Sequence, residues 1–208
     1  MNCSSKKTPA SNLSLAPQFL AISAVEQVIF QIGITAFLIL VAYYGTEAYA
    51  AYGIGVQILS FSFVIGFGFS IAGATLVGQH LGAKNKDQAK RAGWGAMRLS
   101  IISMTFFGIL ITVFAEPLAR YMIDNDEVVR LTVIFIWLLG SMQPLMAIEF
   151  SLGGALRGAG DTKTPLAITL TCLLFIRVFL AVIFFLLDAR IEIIFSTLVA
   201  DYIVKGFL

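Results

Sequence analysis

Six stretches of the chain are apolar around their whole circumference: residues 19–44, 48–77, 93–114, 128–155, 165–187 and 191–208. Each is close to or above the ~20 residues that a helix needs to cross the hydrocarbon of a bilayer. None alternates with period two, as the ~10-residue strands of an outer-membrane barrel do. Lipid offers no partner to an unpaired backbone N–H or C=O, so the pattern predicts helices. The second and fourth stretches exceed one crossing, which predicts tilt, a kink or extension beyond the membrane. Short polar segments separate the stretches and predict antiparallel neighbours. The fold class that follows is all-α: a polytopic integral membrane protein with a six-helix transmembrane bundle over residues 19–208, preceded by a polar segment, 1–18.

Composition agrees. Of 208 residues, 59% are hydrophobic and 12% charged, and the mean hydropathy is +0.91. A soluble domain carries about 25% charged residues. This chain could not cover itself with polar surface in water, which excludes an ordinary soluble enzyme. A net charge of +2 is too small to imply a nucleic-acid partner. Cys3 and Cys172 sit in a polar segment and an apolar run, which disfavours a disulfide framework or a thiolate metal site. Residues 1–16 lack the pattern of a secretory signal, and no lipidation motif is visible.

Charge placement orients the bundle. With the N-terminus in the cytoplasm, the inner side holds Lys6, Lys7, Lys84, Lys86, Lys90, Arg91, Arg98, Arg157, Lys163 and Lys205. The outer side holds Arg120, Arg130 and Arg190, and Arg177 lies within a span. The excess of basic residues in cytoplasmic loops favours this orientation, with both termini inside an inner cell membrane. Lys205 is expected to snorkel to the inner surface. The longest outer connection, 116–130, reads as a solvated link, since a calcium loop needs more oxygen ligands at defined spacing.

Two inner loops carry distinctive sequence. The first follows Leu76-Val77-Gly78-Gln79-His80-Leu81-Gly82-Ala83, and the second is Leu156-Arg157-Gly158-Ala159-Gly160-Asp161-Thr162-Lys163-Thr164-Pro165. Gly82 suits a left-handed helix end. Asp87 is a candidate cap for 88–92, and Thr164-Pro165 a start for the fifth helix. Gly158 and Gly160 permit a tight turn. The Walker spacing of an ATP-driven pump is absent.

Together these stretches resemble the multidrug and toxic compound extrusion (MATE) transporters, and Gly45-Thr46-Glu47-Ala48-Tyr49-Ala50-Ala51-Tyr52 and Gln143-Pro144 add to the resemblance. It covers about residues 21–208 and implies one six-helix half, the second, of a twelve-helix carrier whose halves meet at a central cavity. It implies secondary efflux of small organic, mostly cationic compounds by antiport against Na⁺ or H⁺. The implied partners are therefore that substrate, the coupling ion, the bilayer and a missing six-helix half. No enzyme activity, resident metal or cofactor is expected. Two alternatives stand beside this reading: a non-transporting fragment or accessory subunit that needs the other half, and a lipid-linked oligosaccharide flippase. The flippase should have a strongly basic cavity, whereas only Arg177 is basic deep in a predicted span.

Ionisable groups in hydrocarbon are costly and default to functional candidates. Glu26, Glu149, Arg177 and Asp201 are such groups here. Glu26 shares one side of the first helix with Gln27 and Gln31, since Gln27 and Gln31 are four residues apart. By resemblance, Glu26 matches in type and element the coupling carboxylate of some MATE members; the plain alternative is an interhelical hydrogen bond. Glu149 is expected to pair with Arg177, and Asp201 with Lys205 one turn along. Gln57 and Gln143 either line the cavity or bridge helices. The candidate coupling-ion or substrate residues are Glu26, Gln31, Gln57, Gln143, Glu149 and Arg177.

Overall fold

The computed structural model describes the backbone of residues 11–187 and 190–207, with side chains for 24, 25, 27–173, 175–187 and 190–206. Residues 1–10 of the polar segment 1–18 therefore lie outside the described residues, as does the Glu26 side chain, and residues 11–18 belong to the first helix. The described chain is helical throughout: α1 (Ser11–Tyr43), α2 (Thr46–Gly82), α3 (Lys86–Val113), α4 (Ala115–Met122), α5 (Asp126–Ser141), α6 (Gln143–Gly158), α7 (Lys163–Thr171), a π-helical segment (Cys172–Val178), α8 (Phe179–Leu186) and α9 (Ile191–Phe207).

Three of these bodies are individually long and apolar enough to cross a membrane: α2, α3 and the run Lys163–Leu186. The predicted fourth span is two helices, α5 and α6, meeting at 54° and able to form one broken crossing. The sequence reason is Gln143-Pro144. Proline has no N–H to donate and clashes with the carbonyl four residues back, so the helix restarts there with Pro144 in its first turn. Helix α1 has 33 residues, more than a crossing needs. Helix α9, with 17, reaches about 25 Å at 1.5 Å per residue.

Several local expectations are corrected. The connection 116–130 is not merely a solvated link, because it contains α4, tied down by Arg120 to Glu116 at 3.0 Å and to Asp126 at 2.9 Å. The cap of α3 is Asn85, which accepts from the Gln88 amide at 3.1 Å, and α3 then runs unbroken from Lys86. Asp87 is already inside that first turn. The left-handed residue after α2 is Lys84 (φ 58°), two positions beyond Gly82. Gly160 does take positive φ (89°) in the α6–α7 turn, as expected there.

Helices α2, α3, α5 and α6 form a tight group, with α1, α7 and α8 packed alongside and α9 docked on α5, α6 and the π-helical segment. The core is a column of aromatic rings through four helices. Phe37 meets Tyr52 at 5.7 Å between centroids, Tyr52 meets Phe135 edge-on at 5.3 Å, and Phe135 meets Phe195 edge-on at 5.1 Å. Aromatic pairs in this geometry contribute about 0.5–1.5 kcal/mol each beyond their buried area. Small residues set the closest helix contacts. Gly154 and Gly158 of α6 lie against the backbone of Ser70 and Ala74 of α2, where a methyl group would not fit.

Candidate functional site

A group of charged side chains is buried where α6, α9 and the π-helical segment meet. Asp201 is fully buried and Lys205 is 7% exposed, although both are ionisable and lie on an apolar helix. Lys205 Nζ is 3.1 Å from Asp201 Oδ2 one turn earlier and 3.4 Å from Glu149 Oε1 on α6. The ring of Tyr202 adds a face to this ammonium, with its centroid 5.3 Å away. Two carboxylates therefore share one cation. Asp201 Oδ1 has no hydrogen-bond partner among the described residues. In a low-dielectric interior an unused acceptor of this kind is expensive, and it is also free to bind.

Arg177 is the second buried cation. It sits on the π-helical segment, where the wider turn leaves spare room along the helix; such segments often mark functional positions. Its guanidinium carbon lies 5.1 Å from the centroid of Phe37 on α1, and its Nε has no hydrogen-bond partner among the described residues. A desolvated cation over a ring gains about 2 kcal/mol or more. The expected Glu149–Arg177 ion pair is replaced by Glu149–Lys205. Lys205 does not snorkel outward, because the two carboxylates draw its ammonium into the bundle. The Asp201–Lys205 pair is found as the i, i+4 spacing predicts.

Gln143 stands at the α5–α6 break and is fully buried. Its Oε1 accepts from the Ser62 hydroxyl of α2 at 2.6 Å, while its Nε2 donates to nothing described. It bridges helices, one of the two roles its sequence position allowed.

The other two amides face away from the core. Gln31 and Gln57 are exposed on α1 and α2. Gln31 lies twelve residues before the end of α1 and Gln57 eleven after the start of α2. At 1.5 Å per residue both are about 17 Å from the α1–α2 turn, near the middle of a ~30 Å hydrocarbon layer. Gln31 borders an open groove with Val28, Ile32, Thr35, Ala36 and Ile39. Gln57 continues along α2 into exposed Phe61, Val64 and Ile71. An exposed amide at mid-membrane depth belongs against water or protein, since lipid would leave it unpaired. The candidates thus separate into an interior set (Gln143, Glu149, Arg177) and a surface set (Gln31, Gln57), with Asp201 and Lys205 joining the first. The sequence signal that Lys205 turns inward is its i, i+4 spacing from Asp201 within the apolar run.

Both ends of the bundle are fixed by solvated charge. Arg130 holds Glu127 at 2.7 Å and reaches Glu192 on α9 at 3.2 Å, and its hydrogen bond keeps the Glu127 carboxyl below the usual range. At the opposite end Asp161 caps α7. It accepts from the Thr164 hydroxyl at 2.6 Å and from the amides of Thr164 and Lys163 at 3.1 and 3.2 Å, which depress its pKa.

Comparison with known proteins places this arrangement. The MatE family model matches residues 23–183. The chain belongs to the MatE family. Among curated relatives, the probable multidrug resistance protein NorM of Thermotoga maritima is 35% identical over 150 residues, which is 71% of this chain and 32% of that protein. The protein of the same name from Mannheimia succiniciproducens is 33% identical over 128 residues, 62% of this chain and 28% of its own length. The chain therefore spans about a third of these relatives. Among solved structures, a MATE protein in complex with MaL6 superposes with a TM-score of 0.82 at 18% identity, over 88% of this chain and 41% of the other. A MOP superfamily transporter from Pyrococcus furiosus gives 0.78 at 19%, over 88% and 40%. The fold is that of part of a MatE-family membrane transporter, a multi-pass α-helical body, and the family is one of transporters rather than enzymes.

Proposed function

We propose that this MatE chain is one half of a secondary active carrier that exports small organic, cationic compounds in exchange for Na⁺ or H⁺ across the inner cell membrane. The observation that carries the reading is the triad Glu149–Lys205–Asp201, in which the buried Lys205 ammonium is shared between the buried Asp201 and the partly exposed Glu149 of an apolar bundle. A coupling cation arriving at either carboxylate competes with the Lys205 ammonium for it. Lys205 is tethered to α9, so its release changes how α9 sits on α6. Coupling requires only that ion and substrate prefer different states of that contact. Glu26, on α1, is a further carboxylate for the ion. Arg177 repels a cation from the Phe37 side and so directs it to the carboxylates. Gln31 and Gln57 line the wall that meets the missing half, where substrate passes between amides and the exposed rings of α2. Both termini and the basic α2–α3 and α6–α7 loops lie in the cytoplasm.

The test is flux. In vesicles holding the chain, an imposed Na⁺ or H⁺ gradient should drive ethidium, a fluorescent organic cation, and Glu149→Gln or Asp201→Asn should abolish that flux while the protein still inserts. Unchanged gradient-driven flux in both variants overturns the site. One fact favours a second reading, a subunit inactive without its other half: the chain covers only about a third of its curated relatives. No ethidium flux under either gradient, from protein that is inserted and helical, decides for that reading.

A further inference from the structure

Helix α3 carries a feature that transport does not use. Its first four turns present Lys90, Arg91, Trp94 and Arg98 on one exposed face, around an open depression of about 580 Å³ that Asp87 and Gly95 also line. Residues 90, 94 and 98 repeat every four positions and so form one ridge, with 87, 91 and 95 beside it. Gly95 leaves a notch in that second row, with open space where a side chain would stand. Three cations face one carboxylate, Asp87. None of Lys90, Arg91 and Arg98 has an ion pair among the described residues, although ion pairs form readily elsewhere on this chain.

Beneath the basic face the same side of α3 turns wholly apolar. Leu99, Ile102, Phe106, Ile109 and Val113 follow at helical spacing, and all are exposed. The helix has 28 residues, about 42 Å at 1.5 Å per residue, against a hydrocarbon core of about 30 Å. Its basic first turns therefore stand at headgroup level while the apolar stripe runs down through the acyl region. Trp94, half-exposed at the junction, has the amphipathic ring that prefers this boundary.

We propose that this face binds one anionic phospholipid of the leaflet on the side of the α2–α3 loop. The phosphate and headgroup anion sit among Lys90, Arg91 and Arg98 over the Gly95 notch, and the acyl chains lie along Leu99–Ile102–Phe106. The occupant is a lipid rather than a free phosphate compound because the cations are continuous with an acyl-length apolar stripe on the same helix face. Basic residues at a membrane surface attract anionic lipid, and unpaired guanidinium groups suit phosphate oxygens.

Trp94 reports on the site directly. With Trp137→Phe, Trp94 is the only indole in the full chain. Reconstituted into vesicles, it should be quenched by brominated phosphatidylglycerol with a relative affinity about threefold or more above that of brominated phosphatidylcholine, a preference basic clusters at a surface should confer. Combined Lys90→Gln, Arg91→Gln and Arg98→Gln should bring the ratio to one, and excess inorganic phosphate should leave it unchanged. Superimposable quenching by the two lipids in the Trp137→Phe protein overturns the proposal without any charge variant. So does a preference that survives the triple substitution, or one that inorganic phosphate abolishes.

Discussion

Lys205 on α9 reaches across the bundle to Glu149 on α6, with 3.4 Å between Nζ and Oε1, while Asp201 holds the same ammonium from 3.1 Å. One cation is thus the only charge compensation within ion-pair distance for two carboxylates among the described residues. Removing one partner of a buried pair typically costs about 3–5 kcal/mol, because a charge is left uncompensated. Lys205→Met should therefore lower the unfolding midpoint in detergent sharply, and adding Asp201→Asn should restore part of the loss by removing one stranded carboxylate. A maleimide dye on the buried Cys172, in a Cys3→Ser background, reads the transition. A Lys205→Met protein as stable as the parent would show that the ammonium is not paired there.

The α5–α6 break has its own dependency. At Gly108 of α3, a Cβ would stand 2.5 Å from Gln143 Cγ and 2.9 Å from its Cβ. Gly108→Ala should push Gln143 off the Ser62 hydroxyl and cost about 1–3 kcal/mol, the usual range for overpacking. Gly53→Ala is the control. That helical position opens to empty space, so alanine's better helix propensity should make it neutral or stabilising by up to about 1 kcal/mol. Equal effects of the two substitutions would remove the steric argument.

The general plan was legible because lipid is an undemanding solvent to read. An apolar run of the right length must be helical, and the break at Gln143-Pro144 announces itself through a missing N–H. What escaped the sequence were relationships between helices. Nothing in 172–178 marks a π-helical turn: it contains neither Gly nor Pro. The partner of Glu149 depended on which of two cations, Arg177 or Lys205, the packing of α9 would bring nearer, and charge counting assigned Lys205 to the surface. Helix α4 was hidden because its eight residues are too polar to resemble a span, and it is held by Arg120 bridging Glu116 and Asp126. The exposure of Gln31 and Gln57 likewise belongs to the rotation of α1 and α2 about their axes, which an apolar circumference does not encode.

Ser62 and Gln143 form a polar contact inside an apolar core. Ser62→Ala leaves the Gln143 oxygen unpaired beside an Nε2 that already lacks a partner, so a loss of about 1–3 kcal/mol is expected. Gln143→Met removes Oε1 together with the unpaired Nε2 at nearly the same volume; it strands only the Ser62 hydroxyl and should cost less. In a double-mutant cycle, Ser62→Ala on the Gln143→Met background should lose most of its effect. Strict additivity of the two substitutions would mean that the 2.6 Å contact contributes nothing.

Asp161 gives a pH dependence whose sign is fixed by its surroundings. The Thr164 hydroxyl first, then the Thr164 and Lys163 amides, favour the charged carboxylate and lower its native pKa. The unfolded chain keeps the ordinary Asp value of about 3.9. A depressed native pKa stabilises fully above the unfolded value, and that stability is lost as the pH falls through the lower native one. Asp161→Asn keeps the shape and an acceptor oxygen but has no charge, so it mimics the protonated residue. The unfolding midpoint of the parent should exceed that of the variant at neutral pH, by an amount kept small by solvent at this exposed site. The gap should be constant down to about pH 5 and close as the pH is lowered through the region below about 4. A gap that persists unchanged into strong acid would show that the cap works through its hydrogen-bond geometry alone, with no contribution from charge.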